Sequence, residues 1–218
     1  MDSSAKLQKS TVISVGTTFG IFTGNSDEAF SGFEQTELSS GVNYGGSITF
    51  YFPNAALKTF KAPGIEISIE HYSRVLSENN LDFGELSMTP ISVRYKIQRF
   101  TSTNSQFSNG NGFGYNFFAG AGLSINGFEK GVFIKSLESS AEGQFSIKTN
   151  SSFFLEIGLG MDALIAKNVS LGLKSLYRYG NLGSDWTISN QYMTAQIPDF
   201  DTFHASGFQI SGGLNFWF

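Results

Sequence analysis

His204 and Ser206 stand two residues apart in "FHASG". On an extended strand that spacing puts both side chains on one face, where an imidazole could take a proton from a hydroxyl nucleophile. A working pair also needs a group that orients the imidazole, and the sequence places no carboxylate to do so; a His at the end of a strand is more often an interfacial residue. A larger set of ionisable residues runs through the middle of the chain: Glu66, Glu70, Arg74, Arg94, Lys96, Glu156, Asp162, Lys174 and Arg178. Within each segment their offsets are even, so each group shares one strand face. Four are acids and five are bases, close to the balance that a paired, buried network requires.

Other chemistry is narrowed by what the chain lacks. With no cysteine it has no disulfide, no Cys-ligated zinc, no iron–sulfur cluster and no thiol nucleophile. His71 reads as a rim residue. Asp199 and Asp201 read as a turn rather than a calcium pair, and "GNGFG" at 110–114 lacks the strand–helix context of a phosphate loop. No cofactor and no metal site is expected. The net charge of −4 argues against nucleic acid, which wants a basic face.

The elements that carry these residues alternate with period two, in eight segments separated by turn-like gaps. They are "STVISVGTTFGIF", "GVNYGGSITFYF", "GIEISIEHYSR", "LSMTPISVRYKIQ", "YNFFAGAGLSI", "FFLEIGLGMDAL", "VSLGLKSLYRY" and the closing "SGGLNFWF", extended back through Phe208. In the fourth, Leu86 and Met88 have the wrong parity, which predicts a bulge near Pro90. No segment reads as a helix. The 218 residues form one domain, with 1–9 as a tail.

Eight alternating strands close into an antiparallel up-and-down β-barrel, whose apolar face could point inward, as in a soluble carrier, or outward into lipid. The second face decides between them. It carries all nine ionisable residues together with Gly16, Gly20, Gly45, Gly120, Gly122, Gly158, Gly160, Gly172 and Gly213. Small residues and matched charges suit a cramped lumen. A water-facing exterior has no need of so many glycines, which weaken strands. Phe118, Phe154, Leu176 and Trp217 also fall on this face, as interior packing. The apolar face is bulky and unbroken, as lipid contact requires. The expected fold is an all-β, eight-stranded transmembrane barrel, closed so that lipid meets no unpaired backbone.

An even strand count brings both termini to one side, and the short turns make that side periplasmic. Phe50, Phe52, Tyr95, Tyr115, Phe117, Phe216 and Phe218 fall at those strand ends on the lipid face, as an interfacial girdle. The outer loops are acidic: Asp27, Glu28, Glu34, Glu37, Glu78, Asp82, Glu85, Asp185, Asp199 and Asp201, with no Lys or Arg in the same three loops. The inner side holds Lys6, Lys9, Lys58, Lys61, Arg99 and Lys167. The first ten residues are polar and no signal peptide is evident; the expectation is that Met1 stands in place of a removed leader.

The chain resembles the eight-stranded outer-membrane barrels of Gram-negative bacteria, the OmpA/OmpX/OmpW-like group. "YNFFAGAGLSI" is similar to the group's small-residue strand, "NVSLGLKSLYRY" to its seventh and "MTPISVRYKI" to its Pro-bearing fourth. Ser211, Gly213, Phe216 and Phe218 match the closing pattern that the barrel-assembly machinery reads. The resemblance implies residence in the bacterial outer membrane, in contact with the bilayer and lipopolysaccharide. Function is less specified, because this scaffold hosts many activities. The leading expectation is a non-catalytic barrel that anchors acidic surface loops or docks a protein partner. "GVFIKSL" and "GQFSIK" in the third outer loop would extend a hairpin beyond the membrane. A narrow OmpW-like channel for small or hydrophobic solutes is the alternative. A lipid A deacylase-like enzyme is the remote one, with His204 and Ser206 as its candidates; those enzymes follow the Ser with Asn, where this chain has Gly207.

Overall fold

Period-two alternation is realised as a closed tube of eight long antiparallel strands in the computed structural model, which describes residues 11–24, 37–38, 41–52, 59–78, 81–103, 112–141, 143–149, 151–166, 168–190, 194–196, 202–204 and 206–218. The barrel strands are β1 (Val12–Gly24), β3 (Gly41–Tyr51), β4 (Thr59–Glu78), β5 (Leu81–Thr103), β6 (Gly112–Lys130), β8 (Ser152–Ala166), β9 (Val169–Asn190) and β12 (Gly207–Trp217). Each pairs with the next, and β12 returns to β1 through pairs that run from Ser14–Trp217 to Gly24–Gly207. Closure is completed at the last residue: Phe218 N–H donates to Ile13 O at 2.8 Å, and Ile13 N–H donates to Phe218 O at 3.1 Å. Every barrel strand therefore has a partner on both sides, the condition for crossing lipid without an unpaired edge.

Burial follows the parity of the sequence. On β8, Phe153, Leu155, Ile157, Leu159 and Met161 are exposed, while Phe154, Glu156 and Asp162, of the opposite parity, are buried. Among the described residues the exposed face of the barrel strands is mostly aliphatic or aromatic, with charged residues such as Lys61, Arg99 and Glu129 toward the strand ends. An exposed apolar belt around a whole molecule is the mark of a surface solvated by lipid rather than water. Phe52, Tyr95, Tyr115, Phe117, Phe216 and Phe218 lie exposed at one end of the belt, with Phe50 half-buried beside them. Tyr44, Phe153, Tyr179 and Phe208 are exposed toward the other end, so the aromatics form two rings.

Two local expectations are corrected. The register of β5 passes through Pro90 unshifted, with Pro90 opposite Ser124, so there is no bulge there. Leu86 and Met88 share the inward parity of Pro90 and Ser92 and are buried, so their apolar character belongs to the lumen filling. The expectation of no helix also fails. "GVFIKSL" lies in Gly131 and α1 (Val132–Ala141), while "GQFSIK" forms β7 (Gly143–Thr149), which pairs with the outer part of β9. Ile134 is buried, the ring of Phe133 lies 5.0 Å from that of Phe83, and the Asp82 carboxylate accepts from the Val132 N–H at the helix start. Lys130 and Glu138 pair at 2.6 Å across the junction. The short strands β2 (Glu37–Leu38), β10 (Thr194–Gln196) and β11 (Thr202–His204) add to β4, β9 and β9 in turn. Among the described residues no helix is long and apolar enough to cross a membrane.

Candidate functional site

The lumen is filled by side chains, and its centre is Arg94. Strand β5 points Arg94 inward opposite Glu66 of β4 and Gly120 of β6. Gly120 in turn faces Glu156 of β8. A Cβ at Gly120 would collide with Val93 O and would stand 2.9 Å from Arg94 Cγ. The bare glycine therefore lets the guanidinium pass over β6 and reach the next strand. Arg94 is fully buried and spends its donors on three carboxylates: Nε to Glu156 at 2.6 Å, Nη1 to Glu66 at 2.8 Å and Nη2 to Glu70 at 3.2 Å. Its guanidinium also lies 5.2 Å from the Phe118 ring centroid.

The remaining cations complete a continuous network across the tube. Arg178 donates to Glu156 at 3.1 Å and to the Tyr72 hydroxyl at 2.6 Å, and its guanidinium lies 4.7 Å from the Phe154 ring centroid. Lys96 holds Glu66 at 2.8 Å and Lys174 holds Glu70 at 2.8 Å, while the Gln209 amide donates to Glu70 at 2.9 Å. Three carboxylates and four cations meet here with many direct bonds. Buried charge is tolerated on that condition, since an ion left unpaired in the interior costs several kcal/mol.

Of the nine charges singled out in the sequence, seven meet in this cluster and two stand apart. Asp162 lies nearer the inner end, where its carboxylate accepts from Asn116 at 3.0 Å, Ser170 at 3.3 Å and Asn215 at 2.7 Å. Arg74 lies toward the outer end, its guanidinium 5.6 Å from the Phe22 ring centroid. A second closure, of which the sequence pattern singled out only Trp217, forms the inner floor. Trp217 stacks on Tyr51 at 5.4 Å and meets Phe100 edge-on at 5.5 Å, with Ala62 and Leu164 packed around them. The Trp217 indole N–H donates to Ser170 at 3.0 Å. Its one available signal was inward parity at the strand ends.

The His–Ser pair is not presented as a lipid-facing site. Ser206 precedes β12 and is buried; its hydroxyl accepts from Gly180 N–H at 3.3 Å and lies 3.4 Å from Gly180 O. Ser206 is buried although its parity matches that of the exposed Phe208. His204 pairs with Asn181 through β11, and its side chain lies outside the described residues. His71 lies half-buried on the lipid side, bonded to Thr89 at 3.0 Å and tilted against Tyr44. Of the closing pattern, Ser211 is buried, Gly213 is half-buried, and Phe216 and Phe218 are exposed toward lipid. The tail 1–9, Asp27, Glu28, Glu34, Lys58, Lys167, Asp199 and Asp201 lie outside the described residues, as do the side chains of Glu37, Glu78 and Asp185. Asp82 and Glu85 are exposed at the tip of β5. Among the described residues no group of three or more His, Cys, Asp or Glu is arranged to hold a metal ion.

No protein-family model matches the chain, and no curated protein matches it in sequence. Solved structures do. The outer membrane protein OprG from Pseudomonas aeruginosa is similar at a TM-score of 0.59 and 12% identity, over 96% of this chain and 97% of that one. Neisserial surface protein A gives a TM-score of 0.45 at 10% identity, over 94% of this chain and 96% of that one. The N-terminal barrel domain of Pseudomonas aeruginosa OprF gives 0.40 at 10%, over 95% and 97%. At such identities the likeness speaks for the fold, and it rests on the first of the three. The fold is the closed, eight-stranded antiparallel barrel of outer membrane proteins, and the apolar belt identifies the molecule as a membrane barrel.

Proposed function

We propose that this protein is a non-catalytic barrel of the bacterial outer membrane, with both termini periplasmic, which holds its outer loops and the α1–β7 extension at the cell surface for contact with lipopolysaccharide or a protein partner. The observation that carries this reading is the filled lumen: the Arg94 cluster and the Trp217 floor obstruct the axis at two separate depths. An eight-stranded barrel has an interior just wide enough for side chains, so a tube filled this way serves as a support. The engaged Ser206 hydroxyl argues against the deacylase-like alternative, because it is bonded within the wall and away from any acyl chain. The acidic outer loops favour a cationic partner or divalent-bridged lipopolysaccharide, and the closing pattern on β12 favours insertion by the barrel-assembly machinery.

Planar-bilayer recording of the refolded chain tests the reading directly. The expected record is silent. Steady ohmic conductance that changes on altering Arg94 or Glu66 would overturn it in favour of the narrow channel for small or hydrophobic solutes. Affinity purification of the full-length protein from native outer membranes would then identify what the outer surface holds.

A further inference from the structure

Between the Arg94 cluster and the Trp217 floor lies a cavity of about 40 Å³, with Thr18, Glu66, Lys96, Asp162, Lys174 and Ser211 among its lining residues. A single water needs roughly 10–15 Å³ of such space, so the chamber holds a group of a few heavy atoms at most. Hydrogen bonding around its wall is lopsided. The carboxylates are spent. Glu66 takes Arg94 on one oxygen, and Lys96 and Thr49 on the other. Asp162 takes Ser170 and Asn215 on one oxygen and Asn116 on the other.

The donors are not spent. An ammonium carries three N–H groups. Among the described residues Lys174 gives one of its three to Glu70, and the pairing of β12 with β9 sets Lys174 opposite Ser211. Ser211 is 2% exposed and its hydroxyl has no hydrogen-bond partner. Lys96 gives one N–H to Glu66 and meets Tyr51, and Thr18 brings a further hydroxyl to the same wall. Charge runs the same way. The cluster beside the chamber holds Arg94, Arg178, Lys96 and Lys174 against Glu66, Glu70 and Glu156. Asp162 is answered by its neutral donors rather than by a cation, so the excess positive charge faces the cavity.

We propose that this chamber binds one monovalent inorganic anion of halide size, held by Lys174, Lys96 and Ser211 and enclosed when β12 closes on β1. A metal cation finds no unengaged carboxylate oxygen on the wall. Water alone fills the space and leaves the excess charge in place. An ion taken out of bulk water needs such partners, because an unpaired one in the interior costs several kcal/mol. Buried side chains block both axial directions, Arg94 on one side and Tyr51, Phe100 and Trp217 on the other. The anion therefore enters during folding, before the last strand completes the tube, and leaves slowly afterwards. It fastens the lumen rather than passing through it, and the site is independent of what the outer surface contacts.

Bromide reports on the site because it scatters X-rays anomalously. The full chain is refolded in sodium bromide and crystallised from it, and the expected result is an anomalous peak in the chamber beside Lys174, Lys96 and Ser211. Protein refolded in bromide into phosphatidylcholine vesicles and then moved to sodium gluconate should retain its bromide by mass spectrometry. Protein refolded in gluconate and given bromide afterwards should take up none. Ser211→Ala removes one hydrogen bond to a charged group and should raise the bromide concentration needed at refolding about tenfold. Lys174→Met should abolish retention. A chamber without an anomalous peak would overturn the site, as would uptake unchanged in Ser211→Ala and Lys174→Met alike. Bromide lost from the wild-type barrel as fast as the buffer is changed would overturn its enclosure on closure.

Discussion

The barrel is shut twice, and the two closures work by different physics. Around Arg94 the lumen is crossed by charge: three carboxylates and four cations, each useful only while its partners are in place. At the inner end it is crossed by rings, where Trp217, Tyr51 and Phe100 gain from area removed from solvent and from stacking. The charge cluster has little net stability to offer, because desolvation offsets much of the attraction. What it supplies is specificity of closure, since strand β5 placed one residue out of register would turn Arg94 toward lipid. The floor supplies stability and demands little of register beyond inward parity. A tube closed by rings alone would tolerate misassembly, and one closed by charge alone would be fragile.

The difference can be broken from either side. Arg94→Ala leaves Glu66, Glu70 and Glu156 without their common partner, and should cost about 3–5 kcal/mol of unfolding free energy in urea titrations of the vesicle-embedded barrel. If the loss were under about 1 kcal/mol, the cluster would not be holding the lumen together. Trp217→Ala should cost about 3 kcal/mol in the same titration through the cavity it leaves. The bilayer should nonetheless remain silent, because the upper closure stands. Conductance in that variant would make the floor the principal seal. Glu156→Gln keeps the shape and weakens three bonds, two from Arg94 and one from Arg178, for an expected loss of about 1–3 kcal/mol. Gly120→Ala should cost about 1–3 kcal/mol, because the added Cβ would meet the backbone at Val93 O as well as Arg94 Cγ, and Arg94→Ala beside it should relieve only the part owed to the arginine. Additive losses would mean that Gly120 serves the backbone rather than the arginine.

Much of this was legible before any strand was paired. The parity of Glu66, Arg94, Glu156 and Arg178 announced an inner face, and the girdle of Phe52, Tyr95, Tyr115 and Phe216 announced an interface at one end. The errors came where parity and composition conflict. Leu86 and Met88 fall out of phase only if every apolar residue belongs to lipid, whereas a narrow lumen also buries apolar side chains above its charge cluster. The helix at Val132–Ala141 is hidden because its apolar residues are gathered at its start and that start depends on Asp82, which lies 50 residues earlier in the chain. Ser206 looked lipid-facing by counting back from Phe208, and the count failed where β12 ends.

The sequence by itself determined the class of structure: which face meets lipid, how many strands close the tube, and that the lumen carries near-balanced charge. These are local properties, because side-chain parity and span length are settled within each strand. Only the closed barrel decided who meets whom. Glu156 reaches Arg94 across 62 residues and Lys174 reaches Glu70 across 104, bonds that exist because curvature brings non-adjacent strands to one axis. The bond between Thr17 and Leu214 is likewise invisible in either strand alone, since the two are 197 residues apart and become neighbours only when the last strand closes on the first.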